Sequence, residues 1–209
     1  MNIEPTPLHG EDFFGAQAWE KLQKFASLLV EEGELRGLIG PRELEKLWTR
    51  HILNSTAIES FLSENSDITD VGSGAGFPGI VIAIIRPDVT VYLLETMERR
   101  ILWLDYVKEK LNLSNVVLLH GRAEEFIGKH STKYVTARAV AALKKLLPWT
   151  MPLVESNGKL LALKGGRAEQ EIEEASSILR KYGAEWVDIH DVDVKASAEG
   201  TRVVEIKKS

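Results

Sequence analysis

Apolar positions along this chain recur first at helical spacing and then, from about residue 67, in short runs separated by helical patterns. Phe14, Ala18, Leu22, Phe25 and Leu29 predict one amphipathic helix. After "GLIGP", the series Leu44, Leu47, Trp48, His51, Ile52, Ser55, Ile58, Phe61 and Leu62 predicts a second, with Pro41 suited to its first turn. The runs "DITDV", "VTVYLLE", "NVVLLH", "KYVTA" and "KLLALKG" read as strands with helices between several of them, which is how a parallel sheet is written in sequence. Two of those helices are plain: "ERRILWLDYVKEKL" spaces Ile101, Leu104, Val107, Lys108 and Leu111 along one face, and "AEQEIEEASSILRKYG" ends on a glycine suited to a helix C-terminus. "AEWVDIHDVDV" and "TRVVEIKK" then predict an antiparallel hairpin on the sheet edge. The expected fold is α/β: a doubly wound, mostly parallel sheet of seven strands with a C-terminal antiparallel hairpin, plus N-terminal helices. The expected division is a helical extension over 1–64 and a sheet domain over 65–209, together one compact unit.

Composition narrows the chemistry. At 209 residues and 44% hydrophobic content the chain can bury one sizeable core. No run approaches a membrane span and the N-terminus has no basic segment leading into an apolar one, so a cytoplasmic protein is expected. The absence of cysteine excludes disulfides, thiolate metal sites and a cysteine nucleophile. His9, His51, His120, His130 and His190 show no ligand-like spacing, so no metal is expected. A formal charge of −5 argues against a protein that coats nucleic acid, but leaves room for a local basic face.

The candidate site lies in "DVGSGAGFPG", Asp70 to Gly79, directly behind the first strand. A loop there sits at the switch point of a doubly wound sheet, and its small residues Gly72, Ser73, Gly74 and Gly76 let the backbone approach a ligand. Gly74, Gly76 and Gly79 match the dinucleotide pattern G-x-G-x-x-G, but in the wrong register. The strand ends at Val71, so the tight-turn glycine is Gly72, and the third fingerprint position falls on Phe77. Asp70 also favours a cationic ligand end over a pyrophosphate. Both features fit S-adenosylmethionine better than NAD. Glu95, at the end of the second strand and about twenty residues on, suits ribose hydroxyls in either cofactor. Arg122, Ala123 and Glu124 follow the third strand, and Arg138 the fourth, so consecutive strand ends carry polar or small residues on one edge.

"LWTRHILNS", "DVGSGAGFPG", "RPDVTVYLLE", "GRAEEF", "TARAV" and "LLALKG", in this order over roughly residues 44 to 165, resemble the family of small-subunit ribosomal RNA methyltransferase G, also called glucose-inhibited division protein B. The resemblance implies a class I methyltransferase fold and methyl transfer from S-adenosylmethionine to N7 of a guanine in the 530 loop of small-subunit ribosomal RNA, within the small subunit or its precursor. It implies that Gly72, Phe77, Ala123, Glu124 and Arg138 line the cofactor site. "AWEKLQ" and "GELRGLIG" stand where many members carry tryptophan-asparagine and asparagine-leucine-threonine motifs.

The residues agree with that chemistry. Guanine N7 carries a lone pair and no proton, so it needs alignment rather than a general base. Neither a cysteine nor an N-P-P-Y-like motif is present, and Arg138 is the expected orienting residue. Arg50, His51, Lys164 and Arg202 are the expected RNA contacts, the first two from a family motif and the others from the sheet edge, although His51 also falls on an apolar stripe. A small-molecule methyltransferase and a non-catalytic nucleotide-binding module are the alternatives.

Overall fold

The computed structural model describes residues 2–40, 42–197 and 200–209; the expected helix start at Pro41 lies outside the described residues. The chain opens with α1 (Gly10–Phe14) and α2 (Ala16–Glu32), broken at Gly15, whose φ of 77° ends the first helix. The single helix expected there is therefore two. Helix α2 turns Trp19, Leu22, Phe25, Ala26, Leu28 and Leu29 into the core.

The second expected helix is also absent as such. Residues 44–61 form a 3₁₀ turn (Leu44–Lys46), a π-helical segment (Leu47–Leu53) and another 3₁₀ stretch (Thr56–Phe61). The buried pairs Leu47/Ile52 and Trp48/Leu53 are five residues apart, about 140° around an α-helix but stacked by an i→i+5 ladder. Tertiary bonds satisfy backbone groups in the middle of this segment. Glu4 accepts from the N–H groups of Trp48 and Thr49 at 2.7 and 3.1 Å, and Arg138 donates to the carbonyls of Arg50 and His51 at 2.9 and 3.3 Å.

The remaining elements alternate: β1 (Asp67–Val71), α3 (Gly79–Ile85), β2 (Thr90–Glu95), α4 (Glu98–Leu111), β3 (Val116–His120), α5 (Ala123–Phe126), β4 (Thr132–Arg138), α6 (Leu143–Thr150), β5 (Val154–Lys164), α7 (Ala168–Lys181), β6 (Ala184–Val192) and β7 (Thr201–Lys208). The sheet order is β3-β2-β1-β4-β5-β7-β6, parallel except for β7, which runs antiparallel to both β5 and β6. Alternation along each strand feeds two cores. Ile68, Leu93, Leu161 and Val203 face the side covered by α2, α3, α4 and residues 44–62; Val71, Leu94, Val135 and Val204 face α6 and α7. The N-terminal 64 residues thus share one apolar cluster with the sheet. The order reverses between β1 and β4, and ligands of such sheets bind at the carboxyl ends beside that reversal.

Candidate functional site

Gly72, Gly74 and Gly76 all take positive φ (77°, 57° and 113°), and each is small for a different reason. A Cβ on Gly76 would come within 2.7 Å of Ile80 and 3.2 Å of Phe25, so that glycine serves packing. At Gly74 the nearest atom would be 3.8 Å away, leaving room for a side chain at the turn. Ser73 is buried and donates its hydroxyl to the Asp70 carbonyl at 3.0 Å.

Asp70 does not line the cleft. Its carboxylate is fully buried behind the turn, where Oδ2 accepts the Gly79 N–H at 3.0 Å and Oδ1 has no partner. Burial pushes its pKa up to about 7, against the Gly79 N–H and the charge of Arg138. Glu95 is also nearly buried. Its oxygens accept the N–H groups of Gly74 at 3.0 Å, Thr96 at 2.8 Å and Met97 at 3.0 Å, with Arg100 at 3.5 Å. Burial raises its pKa, but these backbone donors outweigh it and hold the carboxyl below its ordinary value. Glu95 therefore shapes the turn from one side as Asp70 does from the other.

The cleft between these strand ends measures about 480 Å³, within the range of small-molecule sites. Gly72, Glu95, Arg122, Ala123, Glu124 and Arg138 all line it, as expected from their places in sequence. Thr96, Arg100, Val140 and Trp149 line it as well and were not foreseen. Trp149 comes from α6, which carries no glycine or charge pattern marking it.

Phe77 lies across an adjoining cleft with Gly74, Glu43, His51 and Arg138. It packs between Phe25 and His51, with the Arg138 guanidinium 5.0 Å above its ring. Arg138 gives Nη2 to His51 Nδ1 at 2.5 Å and Nη1 to the carbonyls of residues 50 and 51 and to Asn54 Oδ1. His51 Nδ1 must accept that bond, so the proton sits on Nε2 and goes to Glu43 at 2.7 Å. Burial first, then the charge of Arg138, lowers the His51 pKa to about 4, so the ring is neutral. Burial brings Arg138 down to about 10, still fully charged at neutral pH. Arg138 is thus a strap holding residues 50–54 against the end of β4.

The expected phosphate contacts separate. Arg50 is 62% exposed, with one 3.4 Å pairing to Glu43. His51 is committed as above. Lys164 is a correction: its side chain is 9% exposed, with the ammonium bonded to Glu171 at 2.7 Å and to the Ala141 carbonyl at 2.8 Å, and is not a surface contact. Arg202 is held by Glu169 and Asp191, each at 2.9 Å, so its charge is already answered. Among the described residues no three histidine or carboxylate side chains converge as metal ligands, and no helix is long and apolar enough to cross a membrane.

A glycine turn at the switch point, an acidic residue closing the second strand and an antiparallel last strand define the Rossmann-like fold of methyltransferases. Solved structures agree on that fold. M. jannaschii TYW2 in complex with AdoMet aligns with a TM-score of 0.59 at 19% identity over 77% of this chain and 76% of its own. A SAM-dependent O-methyltransferase from Thermotoga maritima aligns with 0.59 at 13% identity over 79% and 69%. At the level of sequence, residues 18–198 match the family described as rRNA small subunit methyltransferase G. The chain is 48% identical over 198 residues to a ribosomal RNA small subunit methyltransferase G of Beutenbergia cavernae, covering 95% of this chain and 91% of that one. It is 46% identical over 184 residues to one from Thermobifida fusca, covering 88% and 78%. The chain belongs to the rRNA small subunit methyltransferase G family.

Proposed function

We propose that this protein transfers the methyl group of S-adenosylmethionine to N7 of a guanine in the 530 loop of small-subunit ribosomal RNA, in the cytoplasm where small subunits are assembled. The residues fit the cofactor. Asp70 Oδ1 is a buried acceptor lacking a donor, beside a turn whose Gly74 leaves a cradle that a side chain would invade. Gly72, Glu95, Ala123 and Glu124 would hold the cofactor, with Val71, Leu94 and Trp149 as apolar walls, and Gly74 opens on the adjoining cleft. When bound, S-adenosylmethionine supplies an electrophilic methyl group on a sulfonium.

The observation that carries the choice of acceptor atom is the state of the groups around Arg138. Glu43 and His51 are bonded to one another, and the remaining imidazole nitrogen is held by Arg138. These side chains are arranged to hold position and not to take a proton. An acceptor with a free in-plane lone pair suits them, because it needs no base. Guanine N7 is such an acceptor, whereas an exocyclic amine or a ribose hydroxyl must lose a proton. Arg138 keeps residues 50–54 and the end of β4 in register, with the Phe77 ring beneath its guanidinium.

Incubation with labelled S-adenosylmethionine and small ribosomal subunits lacking the modification, followed by mapping of the methylated nucleotide, tests the reading. A single N7-methylguanine in the 530 loop is expected. Label on another atom or another region, or on no RNA, overturns it.

A further inference from the structure

The turn over residues 72–77 satisfies its backbone within itself and against the end of β2. The N–H groups of Gly72 and Ser73 reach the Leu94 carbonyl at 2.8 and 3.2 Å, that of Gly74 reaches Glu95, and those of Gly76 and Phe77 return to the Ser73 carbonyl at 2.8 and 3.1 Å. A further bond comes from α4. The indole N–H of Trp103 donates to the Ala75 carbonyl at 2.9 Å, in a buried contact between residues 28 apart in sequence. The Ala75 carbonyl and the Gly76 N–H belong to one peptide plane, so that plane is clamped at both ends, by Trp103 on its oxygen and by Ser73 on its nitrogen. It needs the clamp, because Gly74 and Gly76 on either side, at φ 57° and 113°, offer little resistance to rotation.

Trp103 is itself held in place. Its side chain is fully buried, with the Tyr106 ring centred 6.0 Å away and the Arg36 guanidinium 5.7 Å from the indole and 5.2 Å from Tyr106. Arg36 is in turn fixed by Glu32, the last residue of α2, whose carboxylate accepts its Nε–H at 2.7 Å. The indole is therefore oriented by α2 and α4 together. The plane that it clamps borders ligand space: Ala75 lines the adjoining cleft of about 240 Å³ together with Gly72, Ser73, Gly74, Leu38 and Gly40. Any large apolar side chain would fill the core at this place. Only one with a donor also fixes the turn.

We propose that Trp103 is a positioning residue for the cofactor: its indole N–H holds the Ala75–Gly76 peptide and thereby sets the shape that the glycine turn presents to S-adenosylmethionine. The inference rests on the methyltransferase reading above and adds a residue outside the site that governs cofactor affinity. Trp103 lines neither cleft, so it acts on binding and leaves the transfer step alone. Without its N–H a buried carbonyl loses its donor and the plane is free to turn between two glycines.

Trp103→Phe removes the donor and keeps an apolar ring. Its dissociation constant for S-adenosylhomocysteine, read by calorimetry, should rise about tenfold, the upper part of what one hydrogen bond contributes. With unmodified small subunits the KM for S-adenosylmethionine should rise in step while kcat stays parental. The Gly76 amide should exchange with solvent faster, because it shares the freed plane. Val107→Ala, one helical turn further along the same buried face, opens a cavity in the core without removing a bond to the turn. It should lower the melting temperature and leave both the dissociation constant and the Gly76 exchange parental. Benzothienylalanine introduced at position 103 keeps the shape of the indole with sulfur in place of the N–H, and must reproduce the loss of affinity even if Trp103→Phe fails to fold. Parental affinity or parental Gly76 exchange in the proteins lacking the N–H, or an equal loss of affinity in Val107→Ala, overturns the role of Trp103. A parent that binds no S-adenosylhomocysteine overturns the cofactor reading itself, and this role with it.

Discussion

Replacing Asp70 by asparagine should make the free protein more stable, and by an amount that depends on pH. The carboxyl is fully buried with one oxygen unpartnered, and its pKa rises from 3.8 to about 7. Up to about pH 7 the folded chain keeps this proton, whereas the unfolded chain loses it near pH 4. Folding stability from this group is therefore complete below pH 3.8 and declines until pH reaches about 7. At about 1.4 kcal/mol per unit, the shift corresponds to roughly 4 kcal/mol. Asp70→Asn keeps the shape and abolishes the titration, so the stability difference between variant and parent should be small at pH 4 and grow to roughly 4 kcal/mol in favour of the variant above pH 7. Urea denaturation of both proteins at pH 4, 5, 6, 7 and 8 reads it directly. Parallel stability curves for the two proteins would refute the argument, because the burial of Asp70 would then carry no electrostatic cost.

His51 should act in the opposite sense. Its pKa is lowered from 6.5 to about 4, so its contribution is complete above pH 6.5 and is lost as pH falls toward 4, up to about 3 kcal/mol. His51→Gln should cost stability at pH 7 and progressively less at pH 5, and a constant penalty across that range in denaturant titrations would contradict the neutral, doubly bonded ring. Glu95→Ala leaves three backbone N–H groups without their acceptor, at about 1 to 3 kcal/mol each. Both a loss of at least about 3 kcal/mol in chemical denaturation and a cofactor dissociation constant raised tenfold or more are expected, and an unchanged midpoint would show the turn holds itself. Arg50→Ala should reduce the salt dependence of RNA binding by about one counterion, while Arg202→Ala, its charge already answered by Glu169 and Asp191, should leave the slope as it is. Equal slopes for the two variants in filter-binding titrations would dissolve that distinction.

Periodicity and turn chemistry determined much of this protein. The alternation of short apolar runs with helical patterns is a local property, and it marked all seven strands and the helices at 98–111 and 168–181, because burying a face imposes its period on the sequence. The glycine turn was legible for the same reason: positive φ at Gly72, Gly74 and Gly76 demands glycine whatever lies around it. Tertiary structure decided what those residues touch. Nothing local distinguishes Gly74, open to the cleft, from Gly76, closed by Ile80 and Phe25. Residues 44–62 read as one α-helix, and form π and 3₁₀ turns in which Glu4 and Arg138, 45 and 88 residues away at their farthest-reaching bonds, satisfy backbone groups at 48–51. Lys164 and Arg202 read as free cations, since their carboxylate partners are brought to them by packing of α7 and the edge strands. Charge and residue type are properties of a position, but the availability of a charge depends on its neighbours in space, and only the folded chain sets those.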